Sequence, residues 1–185
     1  MYSDVLIKSV AASLSGGALA VDRTAAFQTM VSRPIVAAPV IGYLLGSAAA
    51  GLAAGVVLEL LFIGDPPVGA HLPMHETGLA VLVTAITATA LEAMGEEGSG
   101  MRVGFIGAAS AVPASILLSL PAGKLYMKAD IFVRRFNTRF FYAASGRLER
   151  GEAVSLQREN LKGPAVLFAV NALVFFVTTA PVMLI

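Results

Sequence analysis

Cysteine is absent from the 185 residues, which excludes disulfides and thiolate metal sites and so any zinc or iron–sulfur framework. Redox compartment is left undetermined by the same absence. Histidine occurs only at His71 and His75, and no cofactor is expected from any motif. Charge is scarce as well. Asp, Glu, Lys and Arg make up 14% of the chain against 57% hydrophobic residues, with a mean hydropathy of +0.79. A soluble domain carries about 25% charged residues, so this composition places the chain in a membrane.

What charge there is lies unevenly. Nine of the thirteen Lys and Arg fall between Lys124 and Lys162, leaving four elsewhere, although the net charge is only +1. Positive loops stay on the cytoplasmic side, so residues 122–162 are expected there. Residues 5–21 are apolar but interrupted by Lys8 and by small residues at 13–17. Asp4 and the lateness of Lys8, with no convincing cleavage site after them, argue for a retained first helix rather than a signal peptide. A short amphipathic piece at 24–31 follows, too short to span, placed at the interface or re-entering.

The most informative stretch is 32–78. Pro34 holds Arg33 extended, and 35–45 reads as a half-helix ended by Gly46. Gly51 and Gly55, four apart among alanines, form a small-residue face that admits a close helix neighbour, so 50–63 is expected to be a helix packed inside a bundle. GDPPVGAHLP, with two Gly and three Pro in ten residues, forbids both helix and ladder strand and predicts a bend or re-entrant tip. Spans follow at 77–94, with Thr84, Thr87 and Thr89 available for hydrogen bonds, and at 101–120, with a kink at Pro113. After Pro121, basic residues alternate with Phe132, Phe136, Phe140 and Phe141 in a long amphipathic helix that continues the preceding one. The last span is 163–185.

The fold class is therefore all-α: a polytopic membrane protein with transmembrane helices, broken or re-entrant half-helices and a long cytoplasmic amphipathic helix. It forms one membrane domain, 1–185. Its stretches are an N-terminal helix and re-entrant piece (1–31), a broken-helix substrate region (32–78), transmembrane helices (79–121), the cytoplasmic arm (122–162) and a last transmembrane helix (163–185).

Candidate site residues cluster in the broken region. Glu59 sits in GVVLELLFIG with no cation in that run, and an intramembrane carboxylate must face a protein interior or a watery cavity. Two readings stand for it: an acceptor for sugar hydroxyls, or a carboxylate that caps free N–H groups and pairs with Arg33. Asp65 is a site residue or an Asx-turn cap. His71, His75 and Glu76 read as polar lining of a substrate path. Four-residue spacing of the histidines suits a metal, but Pro73 between them and a single nearby acid argue against one, and no metal is expected. Asn171 reads as interhelical glue. The aromatic-basic arm reads as an interfacial scaffold rather than a nucleic-acid surface.

The order DRTAAFQTMVSRPIVAAPVIGYLLG, GLAAGVVLELLFIG, PVGAHLP resembles the membrane subunit IIC of mannose-type phosphotransferase sugar permeases, the mannose/fructose/sorbose family. An acid before a Phe-containing tip, Arg33-Pro34, Gly42, Gly46, Gly51, Gly55, Leu58-Glu59, Gly64 and Gly69 carry the resemblance, which extends less tightly over most of the chain. It implies a multi-pass permease of the bacterial inner membrane that takes a hexose. It also implies a IID-like partner subunit in a trimer of heterodimers, contact with membrane lipid, and cytoplasmic IIA and IIB proteins that pass phosphate from phosphohistidine to the sugar. Two departures stand out: the family continues through a further membrane-embedded segment beyond the point matched by Ile185, and it commonly places an acid where this chain has His75 followed by Glu76. The expected function is sugar translocation, with Arg33, Glu59, Asp65, His71, His75 and Glu76 as substrate-binding residues and the phosphoryl-transfer residue on a partner. The alternative is a shortened, non-transporting relative that acts as a scaffold or sensor. An intramembrane hydrolase is least favoured, since no metal or nucleophile constellation is present.

Overall fold

A computed structural model describes residues 2–64, 74–95 and 101–184, and among them every regular element is a helix. In chain order these are α1 (Tyr2–Thr24), α2 (Pro34–Leu45), α3 (Ala48–Phe62), α4 (Glu76–Ala93), α5 (Met101–Glu149) and α6 (Leu156–Met183). Four of them, α1, α4, α5 and α6, are long and apolar enough to cross a membrane. With 12 and 15 residues, α2 and α3 rise only about 18 and 22 Å. Both fall short of a hydrocarbon core of about 30 Å, so they are the half-helices expected from the sequence.

Local chemistry sets their ends. Pro34 occupies the first position of α2, where its missing N–H costs nothing, and Arg33 before it is extended at φ −64°, ψ 145°. Gly46 closes α2 in the left-handed region at φ 86°. Its N–H reaches Tyr43 O at 3.1 Å and the Ser47 N–H reaches Gly42 O at 2.8 Å, satisfying carbonyls that the helix end leaves open. The chain then returns as α3, antiparallel and nearly in backbone contact with α2. A Cβ at Gly51 would lie 2.5 Å from Ala38 O, and one at Gly55 would lie 2.9 Å from Pro34 O. The close neighbour predicted for the Gly51/Gly55 face is therefore α2 of the same chain.

The hairpin leans on α4, the most enclosed helix: two-thirds of its span is buried, against one-third for each of the other three. Around α4 the long helices alternate in direction. The hydroxyls of Ser13 and Thr179 meet at 3.4 Å between antiparallel α1 and α6, and Thr87 donates to Ser115 at 3.0 Å between α4 and α5. Gly78 lets Tyr126 and Phe175 close over the start of α4. One cluster of buried side chains joins α2, α3, α4 and α5 around Leu58, Val83 and Val112; a second joins α1, α2, α4, α5 and α6 around Ile41, Tyr126 and Phe175.

Helix α5 passes through Pro113 and Pro121 without ending and runs for 49 residues, about 73 Å. The arm is thus a continuation of a spanning helix, as its pattern predicts. It returns through α6, which starts at Leu156, ahead of the expected 163. Arg147 bonds Glu159 at 2.7 Å and Asn137 donates to Gly163 O at 3.4 Å, fastening the two helices beyond the bundle. The short piece at 24–31 is irregular after Thr24, with Phe27, Gln28 and Met30 all at positive φ.

Candidate functional site

Three helix ends meet at one place: the start of α2, the last turn of α3 and the start of α4. Arg33, just before α2, points its guanidinium at Glu59 near the end of α3. Nη2 and Nε donate to Glu59 Oε1 at 2.6 and 2.9 Å. From the other side, Arg33 Nη1 donates to Glu76 Oε2 at 3.3 Å. Glu59 Oε2 accepts the Ile35 N–H at 3.2 Å, so one carboxylate both neutralises the arginine and caps α2. Glu76 lies in the first turn of α4, where the helix dipole favours an acid.

An arginine here follows from the surroundings of Glu59. A lone carboxylate in an apolar run carries a large desolvation cost, and a guanidinium 26 residues earlier offsets it in a charge-assisted pair. Side-chain exposures of 30% for Arg33, 19% for Glu59 and 18% for Glu76 leave the cluster partly open at the surface of the bundle. Among the described residues the cluster holds two carboxylates and one guanidinium. Its anchor is the Thr77 hydroxyl, which donates to Ser32 O at 2.9 Å and ties the approach to α2 onto α4.

Behind this cluster lies a second one that sequence reading missed. His75 is 1% exposed and caps α4: its Nδ1 accepts the Gly78 N–H at 3.0 Å, which leaves Nε2 to face Asp130 Oδ1 at 3.7 Å. Arg23, at the end of α1, donates to the other oxygen of Asp130 at 2.8 Å. The His75 ring meets Tyr126 and Phe175 edge-to-face, with centroids 6.0 and 5.5 Å away. Asn171 is buried, and its Nδ2 has no hydrogen-bond partner among the described residues. Asp22 organises the turn after α1, its Oδ1 accepting from the Thr29 N–H and hydroxyl at 2.7 and 2.9 Å and its Oδ2 from the Ser32 N–H at 3.4 Å.

Of the six site residues expected from sequence, the structure brings Arg33, Glu59 and Glu76 into direct contact and sets His75 directly behind them. Asp65 and His71 lie outside the described residues. Among the described residues no group of three His, Asp or Glu is placed to hold a metal. The one signal for Asp130 was its register: Tyr126, Asp130, Val133 and Asn137 recur at helical spacing on one face, so an acid sits in line with buried apolar residues.

The family model described as EII-Sor, PTS system sorbose-specific IIC component, matches residues 5–184. No curated protein sequence matches the chain.

Proposed function

Because the chain belongs to the sorbose-specific IIC component family of the phosphotransferase system, we propose that it is the membrane subunit that binds a hexose and passes it inward, where a IIB partner phosphorylates it. The observation that carries this reading is the Arg33–Glu59–Glu76 cluster, a partly exposed polar junction at the mouth of two half-helices. Carboxylate oxygens accept from neighbouring sugar hydroxyls, and the guanidinium donates to ring or hydroxyl oxygens. Arrival of a sugar exchanges part of the Arg33–Glu59 contact for hydroxyl contacts, which loosens the cap on α2 and ties binding to movement of the hairpin. Asp65 and His71, on the segment that joins α3 to α4, complete the site, and His75 holds Glu76 in place by capping α4. A IID-like subunit and IIA and IIB proteins complete the machine, in a trimeric assembly in the bacterial inner membrane.

The test is uptake of radiolabelled sorbose and mannose in cells that carry the partner subunits. Loss of one charged hydrogen bond lowers binding by about 10- to 100-fold, and Glu59→Gln is expected to lower uptake to that extent at an unchanged membrane level. Thermal scans of Glu59→Gln separate the two readings of Glu59: a purely structural carboxylate loses Tm along with uptake, and a sugar acceptor loses uptake with Tm little changed. Wild-type uptake by Glu59→Gln removes the residue from the site. The basic ends of α5 and α6 face the cytoplasm in this reading. A cysteine at Gly146 is then protected from an impermeant thiol reagent in intact cells, and ready labelling there reverses the orientation.

A further inference from the structure

On α5 the residues Lys124, Lys128, Arg135 and Arg139 recur at intervals of four, seven and four, which places them on one stripe of the helix. All four are exposed, on the side opposite buried Tyr126, Asp130 and Val133. Arg134 stands exposed at the edge of the stripe. None of these five cations has an ion pair among the described residues, whereas Arg23, Arg33, Arg147, Arg150 and Lys162 each have one. Exposed aromatics interleave with them: Phe132 is 55% exposed and Tyr142 69%.

We propose that this face of α5 binds the headgroups of anionic phospholipids. Residues 103–123 carry no charge at all, so Lys124 stands where the apolar part of α5 ends, and α6 turns apolar again after Lys162. The stripe therefore starts at the boundary of the hydrocarbon, the depth at which lipid phosphates lie and at which Lys, Arg, Tyr and Phe collect. Exposed Phe132, about two turns past Lys124, adds an apolar side chain beside the cations near that boundary. Beside the stripe a cleft of about 260 Å³ opens between Thr24 and Ala25 at the end of α1, Asp130, Arg134 and Asn137 on α5, and Gly163 on α6. Arg23 already neutralises Asp130, so Arg134 is the cation left over in the cleft, and the cleft favours an anion. Basic clefts between spanning helices are a recurrent seat for anionic headgroups.

The experiment uses the full chain extracted in mild detergent, with native mass spectrometry counting retained phosphatidylglycerol against phosphatidylcholine supplied in equal amounts. Each cation near a lipid surface contributes about fivefold in affinity, so the wild type is expected to retain phosphatidylglycerol at least several-fold over phosphatidylcholine. The variant K124Q/K128Q/R134Q/R135Q is expected to lose that preference with an unchanged circular dichroism spectrum, while R150Q/R158Q at the tip keeps it. Raising salt from about 50 mM to about 500 mM, which shortens the Debye length several-fold, is expected to collapse the wild-type preference even if the fourfold variant does not fold. Equal retention of the two lipids by the wild type overturns the proposal. So does a preference that survives the four substitutions, and so does a variant that keeps its lipid but loses an acidic partner protein, which assigns the stripe to that protein.

Discussion

Arg23, Arg33, Glu59, Glu76 and Asp130 lie where the helix ends converge, and each meets an opposite charge at 2.6 to 3.3 Å. Lys124, Lys128, Arg134 and Arg135, on the outward face of α5, meet none among the described residues. The two groups come from the same chain, and Asp130 of the first lies on α5 between Lys128 and Arg134 of the second. Their difference is solvent access. A charge surrounded by apolar side chains loses its hydration and is tolerated only with a partner and hydrogen bonds, whereas a cation at the membrane boundary keeps its head in water or among headgroups. Pairing and burial together, as at Arg23–Asp130, mark the charges whose removal deforms the fold, and exposure without a partner marks those free to serve an external ligand.

The contrast breaks most severely at the Arg23–Asp130 pair, whose side chains are only 11% and 8% exposed. Arg23→Ala leaves a buried carboxylate uncompensated beside His75, which costs about 3–5 kcal/mol. The extracted protein is expected to show a markedly lower Tm and less mature protein in the membrane. Removing both charges, R23A with D130A, is expected to be milder than R23A alone, because no orphaned carboxylate remains. A wild-type Tm for R23A would mean that Asp130 is hydrated and that the pair belongs with the surface group.

Much of this organisation was legible in the sequence because membrane solvation leaves strong marks. The half-helices followed from the position of Pro34, the glycine at 46 and the short apolar runs, and Gly51 and Gly55 announced a close helix neighbour without saying that it is α2. Glu59 announced itself as a carboxylate without a cation in its own run, and pairing with Arg33 was one of its two expected fates. Arg23 and Asp130 were illegible for a topological reason: they are 107 residues apart, and only the packing of α1, α4, α5 and α6 brings them to His75. His75 was expected among lining residues, but nothing local told that Gly78, lacking a side chain, would draw Tyr126 and Phe175 over the imidazole. At 24–31 a short piece was legible but not its form, which Asp22 sets by accepting from the backbone N–H groups of Thr29 and Ser32.

The smallest effect is expected where a pair exists without burial. Arg150 and Glu152 bond at 2.6 Å in the turn after α5, yet their side chains are 63% and 47% exposed. Water solvates both ions before and after the bond forms, so Arg150→Gln is expected to change stability by about 1 kcal/mol at most. Glu159 sits between this case and the buried pair. It accepts from Arg147 on α5 and from Lys162 on its own helix, is 15% exposed, and links the two helices of the arm. Glu159→Gln is therefore expected to lower Tm more than R150Q and less than R23A, and to do so less as salt is raised, because screening weakens partly exposed pairs first. Thermal scans of the three variants at low and high salt give the order directly. If R150Q proves as damaging as R23A, a hydrogen bond at 2.6 Å would by itself have fixed the weight of a charge pair, and solvent access would not be what separates the two groups.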